Sequence, residues 1–294
     1  MFKKISRQNP ALKPFLKRAK ARYGDFSKGN APETVWIWKE DHSFSAAFGL
    51  FKREWESGIL GESRWGLKWG AGRTPEDLAR GVAELPMLFQ GIKAVSVAAR
   101  VPMVCHAFVQ TLEKAGFRYV GGVVTLNMKP SRGYGGKIPT GPGINVRPAK
   151  PSDLAPLKVI AREAFREGRF YHETGLRKGS AQKIYGAWAK NMLNYADEVL
   201  VAAGKNPLGF VSLKKDTALR RWWIDLIAVA PRAQSQGIGS RLAAESRQTA
   251  FRQKEWDLAV KTEPENLGAL CFYLKNGFKP ESFHLDYVWR SRSG

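Results

Sequence analysis

One stretch decides the fold: Ile224-Asp225-Leu226-Ile227-Ala228-Val229-Ala230-Pro231-Arg232-Ala233-Gln234-Ser235-Gln236-Gly237-Ile238-Gly239-Ser240-Arg241-Leu242. It begins as an apolar, β-branched strand, passes through a tight turn that contains glycines, and continues as a helix. Gln234-x-x-Gly237-x-Gly239 lies where the strand gives way to the helix. Backbone N–H groups converge on an anion at such a point, and glycines let a phosphate approach the main chain. The stretch therefore predicts a phosphate site on a strand–turn–helix unit.

Two common phosphate-binding patterns are excluded by the spacing of these glycines. The turn has two glycines, so it is not the three-glycine fingerprint of dinucleotide-binding folds. The pattern Gly-x-x-x-x-Gly-Lys-Ser/Thr is absent from the stretch, so it is not an ATP-binding P-loop.

Length and composition indicate a folded protein rather than a disordered or membrane-spanning one. The 294 residues are enough for two domains, and 44% hydrophobic residues with ten Trp can form a sizeable core. No apolar run reaches the roughly 18 residues that span a bilayer, and the N-terminus lacks the apolar region of a secretory signal. Cys105 and Cys271 form neither a disulfide framework nor a metal-ligand spacing, so no metal is expected. We expect a reducing compartment, the cytoplasm.

The net charge of +22 is large, and the first 22 residues hold eight Lys/Arg and no acidic residue. One interpretation is a solvated tail that favours solubility. The other is a polyanionic ligand, such as a phosphorylated cofactor, a nucleotide-activated substrate, RNA or an anionic membrane surface. Neither a zinc-finger spacing nor an RNA-binding aromatic signature accompanies the charge, which argues against nucleic acid as the partner.

A composition change divides the chain. Pro130–Gly143 holds five glycines and three prolines, which is typical of a linker. The predicted organisation is a basic N-terminal arm over 1–30, a first domain over 31–130, a linker over 131–143 and a second domain over 144–294.

The predicted element order of the second half is β-α-α-β-β-β-α-β-α-β, which indicates an α/β protein with a mixed sheet. Three local expectations matter below. Residues Trp55–Gly61 are predicted to be a turn-rich link. A helix capped by Thr74 is predicted to run to about Gln90. Residues Arg169–His172 are predicted to lie in a loop.

The first half of the chain contains an internal repeat that is weakly similar to the second half. When Gly116-Phe117 is aligned with Gly277-Phe278, a strand and a helix of each half coincide without a gap. Leu112 then falls on Tyr273. We interpret the first half as a worn second copy of one fold that lacks the glycine turn, so the phosphate chemistry should reside in the second half. The alternative is that any two strand–helix–Gly-Phe units align in this way.

Two motifs at the expected separation make residues 144–290 resemble the GNAT family of acyl-CoA N-acyltransferases. The first, Val229-x-Pro231-x-x-Gln234-x-x-Gly237-x-Gly239-Ser240-x-Leu242, resembles the pyrophosphate loop of that family. The second, Asn266-x-x-Ala269-x-x-x-Tyr273-x-x-x-Gly277-Phe278, resembles its other cofactor motif. The resemblance implies two tandem GNAT-like domains, the first degenerate. It also implies transfer of an acetyl group from acetyl-CoA to a primary amine.

The same resemblance implies which residues bind acetyl-CoA. Amides at a helix N-terminus suit the diphosphate of this co-substrate, and Arg232 and Arg241 could assist with its 3′-phosphate. Asn266 either bonds the pantetheine arm or caps the helix that follows it. The full predicted set is Ile227, Ala228, Val229, Gln234, Ser235, Gln236, Gly237, Ile238, Gly239, Ser240, Asn266 and Tyr273.

Two residues are predicted to take part in catalysis. In the family, a Tyr at the place of Tyr273 protonates the leaving thiolate, which a neutral phenol can do; the alternative is a core Tyr. Asp225 is a candidate general base for the amine, and the alternative is an Asp that binds substrate or pairs with a basic neighbour. His172 and Glu173 are rival candidates, and His284 is expected to be structural.

The two-part layout and the segment Arg169-Phe170-Tyr171-His172 are similar to the TDP-fucosamine acetyltransferase type. The resemblance implies that these four residues bind a nucleotide-linked amino sugar, and aromatic rings such as Trp188 could stack on it. Two alternatives stay open: an N-terminal acetyltransferase of proteins or peptides, and a non-catalytic acyl-CoA- or RNA-binding protein. A homodimer through an exposed strand edge or the N-terminal domain is also left open.

Overall fold

The computed structural model describes residues 1–23, 34–40, 43–130, 144–165, 168–252 and 256–291. The predicted linker 131–143 and the end of the predicted basic arm lie outside these residues. The first half contains β1 (Phe2–Ile5), α1 (Lys13–Tyr23), β2 (Thr34–Glu40), β3 (Ser43–Lys52), α2 (Glu54–Leu60), β4 (Arg64–Gly72), α3 (Pro75–Ala83), α4 (Leu85–Gly91), β5 (Ser96–Pro102), α5 (His106–Lys114) and β6 (Arg118–Met128). The second half contains β7 (Asn145–Pro148), α6 (Leu154–Ala164), α7 (Arg169–His172), α8 (Ser180–Tyr195), β8 (Glu198–Ala203), β9 (Pro207–Asp216), β10 (Arg221–Val229), α9 (Ile238–Phe251), β11 (Asp257–Thr262), α10 (Leu267–Lys275) and β12 (Lys279–Arg290).

The chain forms two compact units. Each unit's sheet includes one strand from the other half of the sequence. Unit 1 comprises Met1–Gly122, His172–Leu176 and Phe283–Gly294; unit 2 comprises Val123–Tyr171 and Arg177–Ser282. The strand order is β1-β2-β3-β4-β5-β12 in unit 1 and β6-β11-β10-β9-β8-β7 in unit 2, where β12 contributes His284–Arg290 to unit 1 and β6 contributes Val124–Met128 to unit 2. β12 pairs antiparallel with β5, and β6 pairs antiparallel with β11. Because of this exchange, the compact units do not follow a single cut at the predicted linker.

The N-terminal residues of the predicted arm are an integral part of unit 1. β1 pairs antiparallel with β2. Leu12, Phe15 and Ala19 recur at helical spacing and are buried against Ile37 and Trp69. The sequence left open a mobile arm or a loosely docked helix, and the structure shows a helix with a buried apolar face.

Three local predictions differ from the structure. The segment predicted as a turn-rich link forms α2, which ends at Gly61 in a left-handed conformation. The helix capped by Thr74 stops at Glu84, and a second helix starts there because Pro86 cannot continue the first. The predicted loop Arg169–His172 is one helical turn, α7.

The core of unit 2 is built on the alternation of β10. Trp222, Ile224, Leu226 and Ala228 are buried, and the residues between them are half-buried. Helices α6 and α8 pack against each other, and α9 packs along β9, β10 and β11. This packing fixes the strand that leads into the glycine turn.

The same irregularity occurs once in each unit. In unit 2, β10 runs parallel to β11 only over Arg221–Ile224, and its pairing with β9 skips Asp225. In unit 1, β4 runs parallel to β5 only over Arg64–Leu67, and its pairing with β3 skips Lys68. Each unit thus has four parallel pairs, then a β-bulge, then a strand that separates from its neighbour. The shared pattern confirms the predicted internal repeat.

Within the part of the chain that the structure describes, every helix is too short or too polar to cross a membrane.

Candidate active site

The N-terminus of α9 offers an open set of backbone donors. Its capping residue is Gly237, with φ 77° and no side-chain cap. The first N–H groups of a helix have no partner within the helix, so those of the first turn of α9 point outward. Gly239 packs closely, since a Cβ there would lie 3.2 Å from the ring of Phe272. The arrangement suits the pyrophosphate of acetyl-CoA, as the sequence predicted.

The corresponding place in unit 1 is closed. The helix that follows β4 is capped by Thr74, whose Oγ1 accepts a hydrogen bond from Asp77 N at 3.1 Å. The ring of Phe108 occupies the space beside β4, where its Cζ would lie 3.3 Å from a Cβ at Gly70. Phe108 falls on Ala269 in the internal alignment. Among its described residues, unit 1 therefore keeps the fold, with a side chain capping this helix and an aromatic ring packed against β4.

Beyond the bulge, one edge of β10 is free of strand pairing. Ile227, Ala228 and Val229 pair with β9 on one side, and within the described residues their parallel pairing with β11 has already ended at Ile224. The free edge presents N–H and C=O groups that an amide-containing chain can bind, as an added strand does. The predicted cofactor residues of β10 thus border a gap between two strands.

Several predicted cofactor side chains brace the loop itself. Gln234 Nε2 donates to Val229 O at 3.4 Å, and Gln236 Nε2 donates to Arg232 O at 3.3 Å. Ser235 adopts a left-handed conformation with φ 62°. Asn266 Oδ1 accepts from Ala269 N at 2.9 Å and so caps α10. For Asn266, the structure shows the capping role that the sequence had left open.

Of the two arginines considered for the 3′-phosphate, Arg241 is held by the protein: its NH1 donates to Ile144 O at 2.6 Å. Arg232 is exposed and lines a cavity of about 400 Å³ beside the loop, together with Pro231 and residues of α6. Arg232 is therefore the better placed of the two for an anion.

Tyr273 is buried among apolar side chains. It is 4% exposed, and its ring packs edge-on against Phe272 and Phe278. Burial, and then the negative charge of Glu263, raise the pKa of Tyr273 above its ordinary value. Among the described residues, none has a hydrogen bond to its hydroxyl. The hydroxyl is therefore kept protonated at neutral pH, as a general acid requires.

Asp225 lies at the bulge of β10 and is held by two donors from α8. Its Oδ2 accepts from Trp188 Nε1 at 3.0 Å and from Tyr195 OH at 2.7 Å. Burial, and then the charge of Asp225, raise the pKa of Tyr195, which remains a donor. Lys214 Nζ makes a cation–π contact with the ring of Tyr195, 5.1 Å from its centroid. The carboxylate is fixed in orientation, and Oδ1 receives no hydrogen bond from the described residues.

An aromatic ladder continues from Trp188 through unit 2. The ring of Tyr185 is stacked between neighbours, with centroid distances of 5.0 Å to Phe165, 6.2 Å to Tyr171 and 6.3 Å to Trp188. The interplanar angles are 17°, 19° and 11°. Tyr171 OH donates to Phe165 O at 2.6 Å, which ties α7 to the end of α6. Four aromatic rings thus present a continuous series of faces.

The predicted acceptor residues of α7 have different environments. Tyr171 belongs to the ladder. Phe170 is buried and meets Tyr185 edge-on, and the guanidinium of Arg169 lies 4.3 Å from the Phe170 centroid. His172 is exposed and belongs to unit 1. All four residues belong to α7, in which Phe170 is buried and His172 is exposed.

Sequence reasoning missed Glu263, which follows β11 directly. A Cβ at Gly168 would lie 2.5 Å from Tyr185 OH and 2.8 Å from Glu263 Oε1, so both groups converge there. The charge of Glu263 also raises the pKa of Tyr185, after the larger effect of burial. Ligands often bind at the carboxyl ends of parallel strands, and this position could have drawn attention to Glu263. Asp225 is thus hydrogen-bonded to Trp188, and the ring of Trp188 is stacked with that of Tyr185. The charge of Glu263 acts on the hydroxyls of both Tyr185 and Tyr273.

The rival candidate Glu173 is buried and bonded to Arg64 within unit 1. His284, which was expected to be structural, is half-buried on β12, opposite Pro102.

Comparison with known proteins agrees with this geometry. Residues 163–278 match the Acetyltransferase (GNAT) family. The chain is 25% identical over 240 residues to the spore coat polysaccharide biosynthesis protein SpsD of Bacillus subtilis, covering 80% of this chain and 81% of SpsD. Among solved structures, a GCN5-related N-acetyltransferase from Sphaerobacter thermophilus superimposes with TM-score 0.66 at 12% identity, covering 99% of this chain and 95% of that one. A tandem GNAT protein from the clavulanic acid biosynthesis pathway gives TM-score 0.61 at 11% identity, with 88% and 83% covered.

The fold is therefore a GNAT fold in two tandem units, and the enzyme is an acyltransferase. More specifically, it is an acetyl-CoA-dependent N-acetyltransferase of the GNAT type. The predicted fold class, enzyme class and acyl donor are confirmed.

Proposed function

We propose that the enzyme acetylates the amino group of a nucleotide-linked amino sugar of the TDP-fucosamine type. The similarity to SpsD extends over both halves of the chain, and the name of that relative concerns polysaccharide biosynthesis. The net charge of +22 suits an acceptor that carries a diphosphate.

The observation that carries the proposal is the fixed carboxylate of Asp225 beside the aromatic ladder. A sugar ring offers C–H faces that pack on aromatic rings such as those of Tyr171 and Trp188. An amine that arrives as an ammonium ion needs a carboxylate, and Asp225 is already oriented by its two donors. One cluster thus offers recognition of both the sugar and its amino group.

In the proposed reaction, the amine loses a proton to Asp225, directly or through a water, and its nitrogen attacks the thioester carbonyl carbon of acetyl-CoA. The C–N bond forms and the C–S bond breaks. The thiolate of coenzyme A takes the phenolic proton of Tyr273, and the second proton that the nitrogen loses as the amide forms restores the phenol through solvent. The free edge of β10 binds the amides of the pantetheine arm, and the first turn of α9 binds the pyrophosphate.

The test is a thiol-release assay with acetyl-CoA and three acceptors: TDP-fucosamine, free glucosamine and a peptide with a free N-terminus. The expected result is release with TDP-fucosamine at a kcat/KM at least about tenfold above that with glucosamine, because the nucleotide adds binding energy. Release with the peptide and none with the nucleotide sugar would reject the proposal.

A further inference from the structure

Two exposed lysines lie over aromatic rings on the face of unit 2 that carries Asp225. Lys261 Nζ lies 4.7 Å from the ring centroid of Trp223, and Lys214 Nζ lies 5.1 Å from that of Tyr195. Lys214 is also the register partner of Trp223 in the antiparallel pairing of β9 with β10, so these two residues share a face. Ammonium groups from β9 and from β11 therefore lie on the same side of β10.

The two lysines lie a short distance along the sheet from Asp225. Trp223 precedes Asp225 by two residues on β10, which corresponds to about 7 Å along a strand. Tyr195 joins the two places, because its hydroxyl donates to Asp225 Oδ2 at 2.7 Å while its ring lies under Lys214. Among the described residues, Lys261 is the first residue of β11 beyond its parallel pairing with β10, so it borders the gap between these strands.

The proposed course of acetyl-CoA leaves this end of β10 to the acceptor. The first turn of α9 and the free edge of residues 227–229, which bind the pyrophosphate and the pantetheine arm, both follow Asp225 in the chain. The acceptor therefore extends in the other direction, over the N-terminal half of β10. In a sugar of the proposed type, the amino group and the diphosphate are attached to opposite sides of one sugar ring. The diphosphate is thus expected about one ring's width from Asp225, where the two lysines lie.

The surroundings of the three cations on this face favour the lysines over the arginine. Arg221 also lies over Trp223, with its Cζ 5.2 Å from the ring centroid, but its guanidinium donates to both carboxylate oxygens of Glu281 at 2.9 and 2.8 Å. An aromatic ring, by contrast, attracts and orients an ammonium ion without neutralising its charge. An ammonium ion has three N–H donors, and its hydrogen bonds to phosphate oxygens are among the strong ones in proteins.

We propose that Lys214 and Lys261 bind the diphosphate of the acceptor and thereby select nucleotide-linked amino sugars over free ones. The proposal rests on the proposed function, in which Asp225 meets the amino group of such a sugar. It gives the acceptor diphosphate a site of its own, separate from the N-terminus of α9 and its acetyl-CoA pyrophosphate.

The test compares Lys214→Met and Lys261→Met with a matched control, Lys215→Met. Lys215 is exposed and also lies over a ring, with Nζ 4.8 Å from the centroid of Trp222. Because it is next to Lys214 in the strand, it points to the opposite face of the sheet. Calorimetry measures the binding of TDP to enzyme saturated with coenzyme A, which fills the site at α9. Acetyl-CoA affinity and the KM for TDP-fucosamine are measured separately.

Lys214→Met and Lys261→Met are each expected to raise the Kd for TDP and the KM for TDP-fucosamine about tenfold, because each loses one charged donor to phosphate. The kcat and the acetyl-CoA affinity should change little. Lys215→Met should leave all four quantities within about twofold. Lys261→Arg keeps a positive charge that binds phosphate, so it should recover most of the TDP affinity.

Three results would overturn the proposal: no TDP binding by the wild type, unchanged TDP affinity in either lysine variant, or an equal loss in Lys215→Met. An equal loss of acetyl-CoA affinity would assign the lysines to the cofactor and would overturn it as well. TDP binding that depends on both lysines, without thiol release from TDP-fucosamine, would support the diphosphate site and reject only that sugar as the acceptor.

Discussion

Lys68 of β4 and Asp225 of β10 occupy the same place in the two units. Each is the residue that the antiparallel register skips, and each follows four parallel pairs after which the strand leaves its neighbour. A bulge re-aims a side chain, which is why such irregularities recur near active sites. The bulge position therefore belongs to the shared fold, and the residue placed on it differs in charge between the units.

The charge at this position fits the other differences between the units. Unit 2 combines a carboxylate at the bulge with an uncapped helix N-terminus at Gly237. Unit 1 combines an ammonium group at the bulge with a helix capped by Thr74 and the ring of Phe108 packed against β4. An ammonium group repels a protonated amine and cannot accept its proton. Among the described residues, these differences support our proposal that unit 2 carries out the acetyl transfer.

We expect Asp225→Asn to lower kcat/KM for the acceptor by about 100-fold, since loss of a positioned base typically costs that much or more. Asparagine can still accept from Trp188 and Tyr195, so Tm should change little. The control is Lys68→Met, at the corresponding bulge of unit 1, which should leave kcat/KM within about twofold. Steady-state kinetics of both variants check this, and near-normal acceptor turnover in Asp225→Asn would remove the residue from catalysis.

We expect Tyr273→Phe to lower kcat by about 100-fold while the dissociation constant of acetyl-CoA stays unchanged. Phenylalanine keeps the edge-on packing against Phe272 and Phe278, and only the hydroxyl is lost. Thiol release and calorimetric titration with acetyl-CoA measure the two quantities. A weaker acetyl-CoA affinity with normal kcat would instead assign the hydroxyl to binding.

The parts of the fold that local sequence determines could be predicted. The strand and helix on either side of Gly237 follow from hydrophobic periodicity and from glycine placement, and the structure has them at Arg221–Val229 and Ile238–Phe251. The exchange of β6 and β12 between units could not be predicted, because hydrophobic periodicity identifies a strand without identifying its neighbours in the sheet. Pairing partners are set by the whole assembly of strands, which periodicity does not report.

The candidate site likewise combines residues that a local sequence pattern identifies with residues that only the folded structure brings together. Tyr273 and the glycine turn carry recognisable spacing, so they could be found from the sequence. Glu263 matters because it meets Tyr185 at Gly168, and these three residues are far apart in the chain. Proximity between distant segments is a tertiary property, and a single sequence does not encode it in any short pattern.

We expect Gly237→Val to weaken acetyl-CoA binding by at least about tenfold, because a β-branched residue at positive φ distorts the turn that presents the amides of α9. Gly179→Val is a matched control. Gly179 also caps a helix of unit 2, with φ 86°, and a Cβ at either glycine meets no described atom within 4 Å. Both variants should lower Tm by a similar amount. Calorimetry should show weaker binding for Gly237→Val alone, and equal losses would mean that general destabilisation explains the effect.

We expect Glu263→Gln to shift the alkaline limb of the pH–rate profile toward lower pH. Burial and the charge of Glu263 both raise the pKa of Tyr273, and Tyr273 acts in its protonated form. Activity that depends on it is present below its pKa and is lost as pH rises through that value. Glutamine has nearly the same shape without the charge, so the pKa of Tyr273 falls and the loss begins at a lower pH. Glu265→Gln, two residues further on and exposed, is the control for the change in net charge. The profile of kcat against pH for the wild type and both variants measures the shift. A shift toward higher pH, or the same shift in Glu265→Gln, would show that the charge of Glu263 does not act on Tyr273.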